Sequence, residues 1–453
     1  MSIVDIQNQT DPVIDHYVEG FDRLESQASS ARAAWLHPVR KAAIASFSEH
    51  GFPTIRDEEW RHTNIAPIAG RRYQRSDHAP REISAGELEP FDVPGLAGCR
   101  LVWVNGVWTP QLSTFGKLPV GTYVGSIGRA WMSHPALLKG HLAHYAGYRP
   151  HAFVALNTAF LTDGALIHLP RGADLTEPIH LMFVSAPDGQ LEVSYPRVLI
   201  VAESDSQAVV IEHYVGPPGG EYLTNAVTEI VAGDGVILDH YKIQQESTSA
   251  AHMATLALRQ GRGSSIRSHS IAFGGGLVRN DVQAVLDGEG AECVLNGLSV
   301  LDGRQHVDHH LVVDHAQPHG ASREYYKTIA DGKSHGVFSG RIIVRPGAQK
   351  TDAKQTNKNL LLSEEALVDT KPQLEIFADD VKCTHGATIG QLDTDAMFYL
   401  RSRGVTEPAA RGLLTYAFAA ESLQAVRVEP LRQRLAELLV SRLPQGEQLR
   451  GAL

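Results

Sequence analysis

The stretch from Ile230 to Cys293 decides the fold, because IVAGDGVIL (230–238), LRQGRGSSI (258–266) and VLDGEGAEC (285–293) repeat one pattern within it. The leading glycines of the three Gly-x-Gly turns, Gly233, Gly261 and Gly288, lie 28 and then 27 residues apart. Three residues before them stand Ile230, Leu258 and Val285, and five residues after them stand Leu238, Ile266 and Cys293. Apolar positions therefore recur in register. A weaker unit turns at 203–206, between LIVA and AVVIEHYV, and a later one turns at Asp331-Gly332. Strand, tight turn and strand repeating at this spacing form the signature of a β-solenoid, in which each coil buries its inward face and hydrogen-bonds to the next. A sandwich of irregular hairpins is the alternative, and the change from 28 to 27 residues does not exclude it.

Helical patterns flank this region. Tyr17, Phe21 and Leu24 share one helical face, and AAWLHPVRKAAIASFSEHGFP is a second helical stretch, stopped by Gly51 and Pro53. In DEEWRHTNI the reading is a short docking turn whose indole, Trp60, covers a domain edge; plain helix capping is the alternative. LVWVNGVW reads as a hairpin around Asn105-Gly106. After Leu392 the helical period returns: TDAMFYLRSR ends at Gly404, and Thr406 caps a helix whose Leu413, Leu414, Ala417 and Phe418 share a face. Leu431, Leu435, Leu438 and Leu439 make the next helix amphipathic. These faces fit either core or a docking site for a partner. The expected organisation is a mainly helical unit with a small mixed region over 1–150, a β-helix over 151–393 and a helical unit over 394–453.

Composition narrows the function classes. A formal net charge of −10 argues against nucleic acid as the main partner, because phosphate binding needs concentrated basic surface. Three cysteines in 453 residues make a disulfide framework unexpected, which fits a reducing cytoplasm. Neither a secretory leader nor an apolar run of membrane-spanning length is visible.

Three places could carry chemistry. Cys383 and His385 in KCTHGATIG alternate on a strand, so thiol and imidazole leave the same face. The offset that buries Cys293 would also bury Cys383, and the residues alone leave both readings open. Two ligands do not complete a tetrahedral site, so a metal there needs donors from another strand or another chain. In HVDHHLVVDHAQPH, alternation puts His306, Asp308, His310 and Asp314 on one face and His309 and His315 on the other. Such a strand could serve a β-helical metal-dependent hydrolase or lyase, or simply hydrogen-bond along a solenoid face. Gly332-Lys333-Ser334 fails as a phosphate loop, since Lys327 stands where that motif needs glycine. The polar run from Gln349 to Asn359 points to side chains that bond neighbouring backbone.

FSGRIIV, QTNKNLLLSEEA, KPQLEIFADDVKCTHGATIG and FYLRSRG, in this order, resemble the SufB/SufD family of the SUF iron-sulfur cluster assembly system; DEEWRHTNI and ALNTAFLTDGALIHLPRG agree. The likeness runs from about Asp57 to Arg442 and is nearer the SufD branch. QAVVIEHYVG carries His213 and Tyr214 and no cysteine, whereas the SufB branch has additional core cysteines used in cluster assembly. The resemblance implies a right-handed parallel β-helix between helical terminal units and a scaffold without catalysis of its own. It implies a SufB heterodimer formed through the β-helix and SufC ATPase docking on the C-terminal helices; a homodimer in the absence of SufB is left open. ATP-driven SufC dimerisation would then strain the pair and expose an assembly site at the junction. His385 matches the family's junction histidine, with Cys383 beside it as a weaker thiolate candidate, and a transient iron-sulfur cluster is the cargo. Thr406, Leu413, Leu414, Phe418, Leu431 and Leu435 are the SufC-docking candidates. A reduced flavin is associated with complexes of this family, but no flavin motif is found here. A SufB-like scaffold building clusters on itself would need more cysteines than this chain has.

Overall fold

The computed structural model describes residues 11–27, 35–75, 82–149 and 151–443. Ala33 and Ala34 of the second helical stretch, and 444–453 of the expected C-terminal unit, lie outside the described residues. The chain is mainly β. Two sheets carry a parallel β-solenoid, and helices flank it at either end of the sequence.

Sheet one runs from Leu367–Ile376 through His335–Val344, His306–His315, Leu277–Leu286, Ala251–Gln260, Tyr222–Ala232 and Arg197–Ala202 to Ala165–Leu169 and Tyr123–Ser126. Sheet two runs from Lys382–Gly390 through Asp352–Leu361, Ala321–Ala330, Glu292–Leu301, Ser265–Ala272, Ile237–Gln245, Gln207–Val215 and Ile179–Val184 to the hairpin Cys99–Val104/Val107–Trp108. From Arg197 onward the chain alternates between the sheets strand by strand. One coil is thus a strand from each, and every bond between coils is parallel and in register.

The glycine turns work as the repeat requires. Gly235, Gly263 and Gly290 have φ of 68°, 62° and 69°, a left-handed conformation in which a Cβ is strained, and Gly332 repeats it at 61°. In the weaker early unit Asp205 takes this conformation at 62°. After each turn the expected register holds, with Leu238 beside Ile266 and Ile266 beside Cys293. Before the third turn it slips: Leu258 pairs with Ala284, and Val285 pairs with Arg259. Asp287 takes the place that Gly261 holds in the previous coil, so this turn is one residue longer. A one-residue slip exchanges the faces of a strand. Val285 therefore lies half-buried outside, and Ala284 lines the core.

Inside, Leu181, Ile200, Val210, Leu238, Ile266, Leu295 and Leu311 form part of one continuous apolar column. Each such buried side chain contributes roughly 1.5–3 kcal/mol of transfer free energy. The N-terminal helices Pro12–Gln27 and Leu36–His50 bury Tyr17, Phe21, Leu24, Ile44 and Phe47 against Phe153 and Phe160 of the segment that leads into the solenoid. Trp60 ends a single 3-10 turn, packs on Phe153 and lies under the Arg279 guanidinium at 3.8 Å, so the docking reading of DEEWRHTNI holds. The Asn105-Gly106 hairpin forms as expected, both residues at positive φ, and joins sheet two. The C-terminal helices Glu407–Leu423 and Glu429–Arg442 cover the outer face of sheet two, where Tyr241, Ile271, Phe273, Leu298 and Ile329 meet Leu423, Val426, Leu431, Leu435 and Leu439. No described helix is long and apolar enough to cross a membrane.

Candidate functional site

Both sheets end at the last coil, where Leu367–Ile376 and Lys382–Gly390 each have one neighbouring strand among the described residues. Strand alternation places Cys383 and His385 on the inward side of Lys382–Gly390. Cys383 pairs with Ala353 and His385 with Gln355, and the Cys383 row continues through Ser322 to Cys293. Cys383 thus shares the buried column of Cys293, as its offset implied. What differs is the end of the stack: Cys293 is 1% exposed, whereas Cys383 is half-buried and His385 is exposed. Cys383 packs beside Ile342, Val344, Ala353 and Ala378. Burial pushes its thiol pKa up, with Asp352 adding to the effect, so the isolated chain holds it as a thiol. The His385 side chain makes no hydrogen bond to the described residues.

Behind His385 the column turns polar. Gln355 is 1% exposed, and its Nε2 donates to Glu324 Oε2 at 2.6 Å; Glu324, 2% exposed, lies one coil further in. Burial pushes the Glu324 carboxyl up to about 7 against the bond from Gln355. Asn357 Nδ2 donates to the Tyr326 carbonyl, and Asn359 Nδ2 to the Thr388 carbonyl, so the polar run bonds neighbouring backbone as read from the sequence. Deeper still, Glu212 accepts from Tyr214, Thr228 and His240, and Lys242 donates to Asn280, with burial bringing its ammonium down to about 8. Glu324, Glu212 and Lys242 were missed in the sequence. The available signal was the coil period itself, which sets Glu324, Gln355 and His385 one coil apart in turn.

The histidine strand serves another purpose. His306, Asp308 and His310 do face outward, and His309 and His315 inward, but the outward set holds down the segment around Trp60. Thr63 Oγ1 donates to Asp308 Oδ2 at 2.6 Å and lies 2.9 Å from His306 Nε2. Asp308 also pairs with Arg279 at 2.6 Å, and His310 pairs with Glu59. Among the described residues, no group of three or more His, Cys, Asp or Glu side chains could hold a metal ion. A hydrolase metal on this strand is therefore not supported by its donors.

The docking candidates on the C-terminal helices divide in two. Leu431 and Leu435 are fully buried against sheet two, which corrects their assignment to a partner surface: their helical period marks core. Leu413 and Phe418 are half-buried in the same cluster, Leu414 is half-buried, and Thr406 is exposed at the helix start without a side-chain capping bond. Phe398 and Tyr399, on the preceding helix Thr394–Ser402, are 76% and 57% exposed and were not among the candidates.

Two family models cover this architecture. Residues 183–418 match the SUF system FeS cluster assembly SufBD core domain, and residues 12–181 match the SufBD protein N-terminal region. The chain belongs to the SufB/SufD family. It is 33% identical to the iron-sulfur cluster assembly protein SufD of Escherichia coli over 92% of this chain and 98% of that one. It is 36% identical to an iron-sulfur cluster assembly SufBD family protein of Synechocystis over 92% and 93% of the two chains. The Bacillus subtilis SufD is 25% identical over 64% of this chain and 66% of its own length. The SufD branch expected from the sequence is supported, and the chain is an iron-sulfur cluster assembly protein of the SUF system.

Proposed function

We propose that this SufD-like chain is a non-catalytic scaffold subunit that pairs with a SufB protein through the last coil of its solenoid and builds an iron-sulfur cluster, as cargo, at the junction. The observation that carries the reading is the open end of the stack. Two strand edges without a further neighbour among the described residues stand beside inward-facing Cys383 and His385, with Leu367, Ile376, Phe377 and Ile389 exposed around them. Unpaired edges with apolar side chains are templates for strand addition. A second chain seated there would cover that surface and add the donors that two residues cannot supply. His385 is the ligand or proton carrier, and Cys383 a thiol that gives up its proton only when an electropositive group arrives. In the absence of SufB the same edge takes a second copy of this chain.

A SufC ATPase would dock on the C-terminal helices and supply the ATP hydrolysis, with the exposed Phe398 and Tyr399 beside Thr406 as the surface left free by the core. The setting is the cytoplasm. A reduced flavin would belong to the assembled complex; no residue of this chain is assigned to it.

The test is co-expression with SufB and SufC partners and measurement of cluster formation for wild type, His385→Ala and Cys383→Ala, with complex assembly checked by size. Loss of clusters from an intact His385→Ala complex is the expected result. Unchanged cluster formation in both variants reduces this chain to a shape-giving subunit and refutes the junction chemistry.

A further inference from the structure

We infer that Gln355 is the positioning residue that orients His385, by accepting a ring N–H of the imidazole on its side-chain oxygen and so leaving the other ring nitrogen free to bind. The inference rests on the reading of His385 as a donor at the junction, and adds which residue of this chain prepares it.

The geometry begins with the register. His385 lies directly beside Gln355 in the parallel pairing, both on the inward side of sheet two, and adjacent strands stand about 4.8 Å apart. The Gln355 amide is fixed from behind, because its Nε2 donates to Glu324 Oε2 at 2.6 Å. Amide nitrogen toward the carboxylate leaves Oε1 as the free end, and Gln355 Oε1 is a buried acceptor with no hydrogen-bond partner. The facing sheet makes room for this side chain: a Cβ on Gly340 would lie 2.2 Å from Gln355 Nε2. The His385 imidazole, exposed and without a hydrogen bond to the described residues, is the polar group that the pairing sets beside that oxygen, and rotation about its χ angles can bring a ring N–H to it. An imidazole that gives one N–H to a fixed acceptor is held in one tautomer and one orientation, which is how a ligating histidine is generally prepared.

The measurement is the tautomeric state of His385 in the full-length protein carrying 15N-labelled histidine, its signals identified by their loss in His385→Ala and recorded where the ring is neutral. Wild type is expected to show a single tautomer. Gln355→Met keeps the volume and removes the acceptor, and the signals should move to those of a freely exchanging mixture. Gly340→Ala displaces the end of the Gln355 side chain without changing it, should have the same effect, and carries the test if Gln355→Met does not fold. In the complex with SufB and SufC, Gln355→Met should slow cluster formation roughly ten-fold or more, the range for losing a partner that orients a ligand. A His385 tautomer that is mixed in wild type, or unaltered in both variants, overturns the inference. A His385→Ala complex that still builds clusters refutes the ligand reading instead, whatever the tautomer does.

Discussion

Replacing Glu324 by glutamine should flatten the dependence of stability on pH. The carboxyl is held at about 7 in the folded chain against an ordinary 4.5, because it sits inside the solenoid. Between those values the unfolded chain has lost the proton and the folded chain has kept it. The folded state then binds more protons, so stability falls as pH rises through this window and levels off above it. The difference of 2.5 multiplied by about 1.36 kcal/mol gives a penalty of about 3 kcal/mol above pH 7. Glutamine keeps the shape and an acceptor for Gln355 Nε2 but carries no titrating proton. The assay is urea unfolding of wild type and Glu324→Gln at about pH 5.5 and about pH 8.5. Only the part of the penalty above the lower pH is then sampled, so the variant should gain about 2 kcal/mol relative to wild type between the two conditions. Comparing the variant with wild type at each pH cancels the other titrating groups. Stability curves that stay parallel with pH would refute the reasoning, since Glu324 would then be ionised, or unburied, in the native state.

Two further changes test the packing that frames the site. Gly297→Ala puts a Cβ 2.1 Å from Cδ1 of the buried Tyr326, and overpacking of this kind should cost ~1–3 kcal/mol, seen as a lowered unfolding midpoint; an unchanged midpoint would mean that the Tyr326 ring is free to move. Lys327→Met removes an ammonium that donates to the Phe418 carbonyl and to Glu421, each at 2.6 Å, and so ties the helix Glu407–Leu423 to sheet two. The loss of these charge-assisted bonds should loosen the helix by ~1.5–3 kcal/mol, read as faster amide hydrogen exchange over 407–423 with the N-terminal helices unaffected.

The repeat of turns and apolar positions favoured a stacked solenoid over a sandwich, because each coil must place the same residue types at the same offsets to bury one face and bond its neighbours. Helical period likewise marked the flanking helices, and the motifs of the last coils marked the family. Three matters needed the tertiary structure. Val285 left the core because one added turn residue reverses a strand's faces, and no local property of valine announces that. Leu431 and Leu435 became core, and Phe398 and Tyr399 surface, because an amphipathic face shows that a helix packs without showing against what. Above all, Cys293 and Cys383 occupy one column and obey one alternation, yet one is sealed and the other half-open. The sequence determined which way each thiol points. Its accessibility was decided by where the stack of coils ends, because exposure depends on whether another strand follows in space.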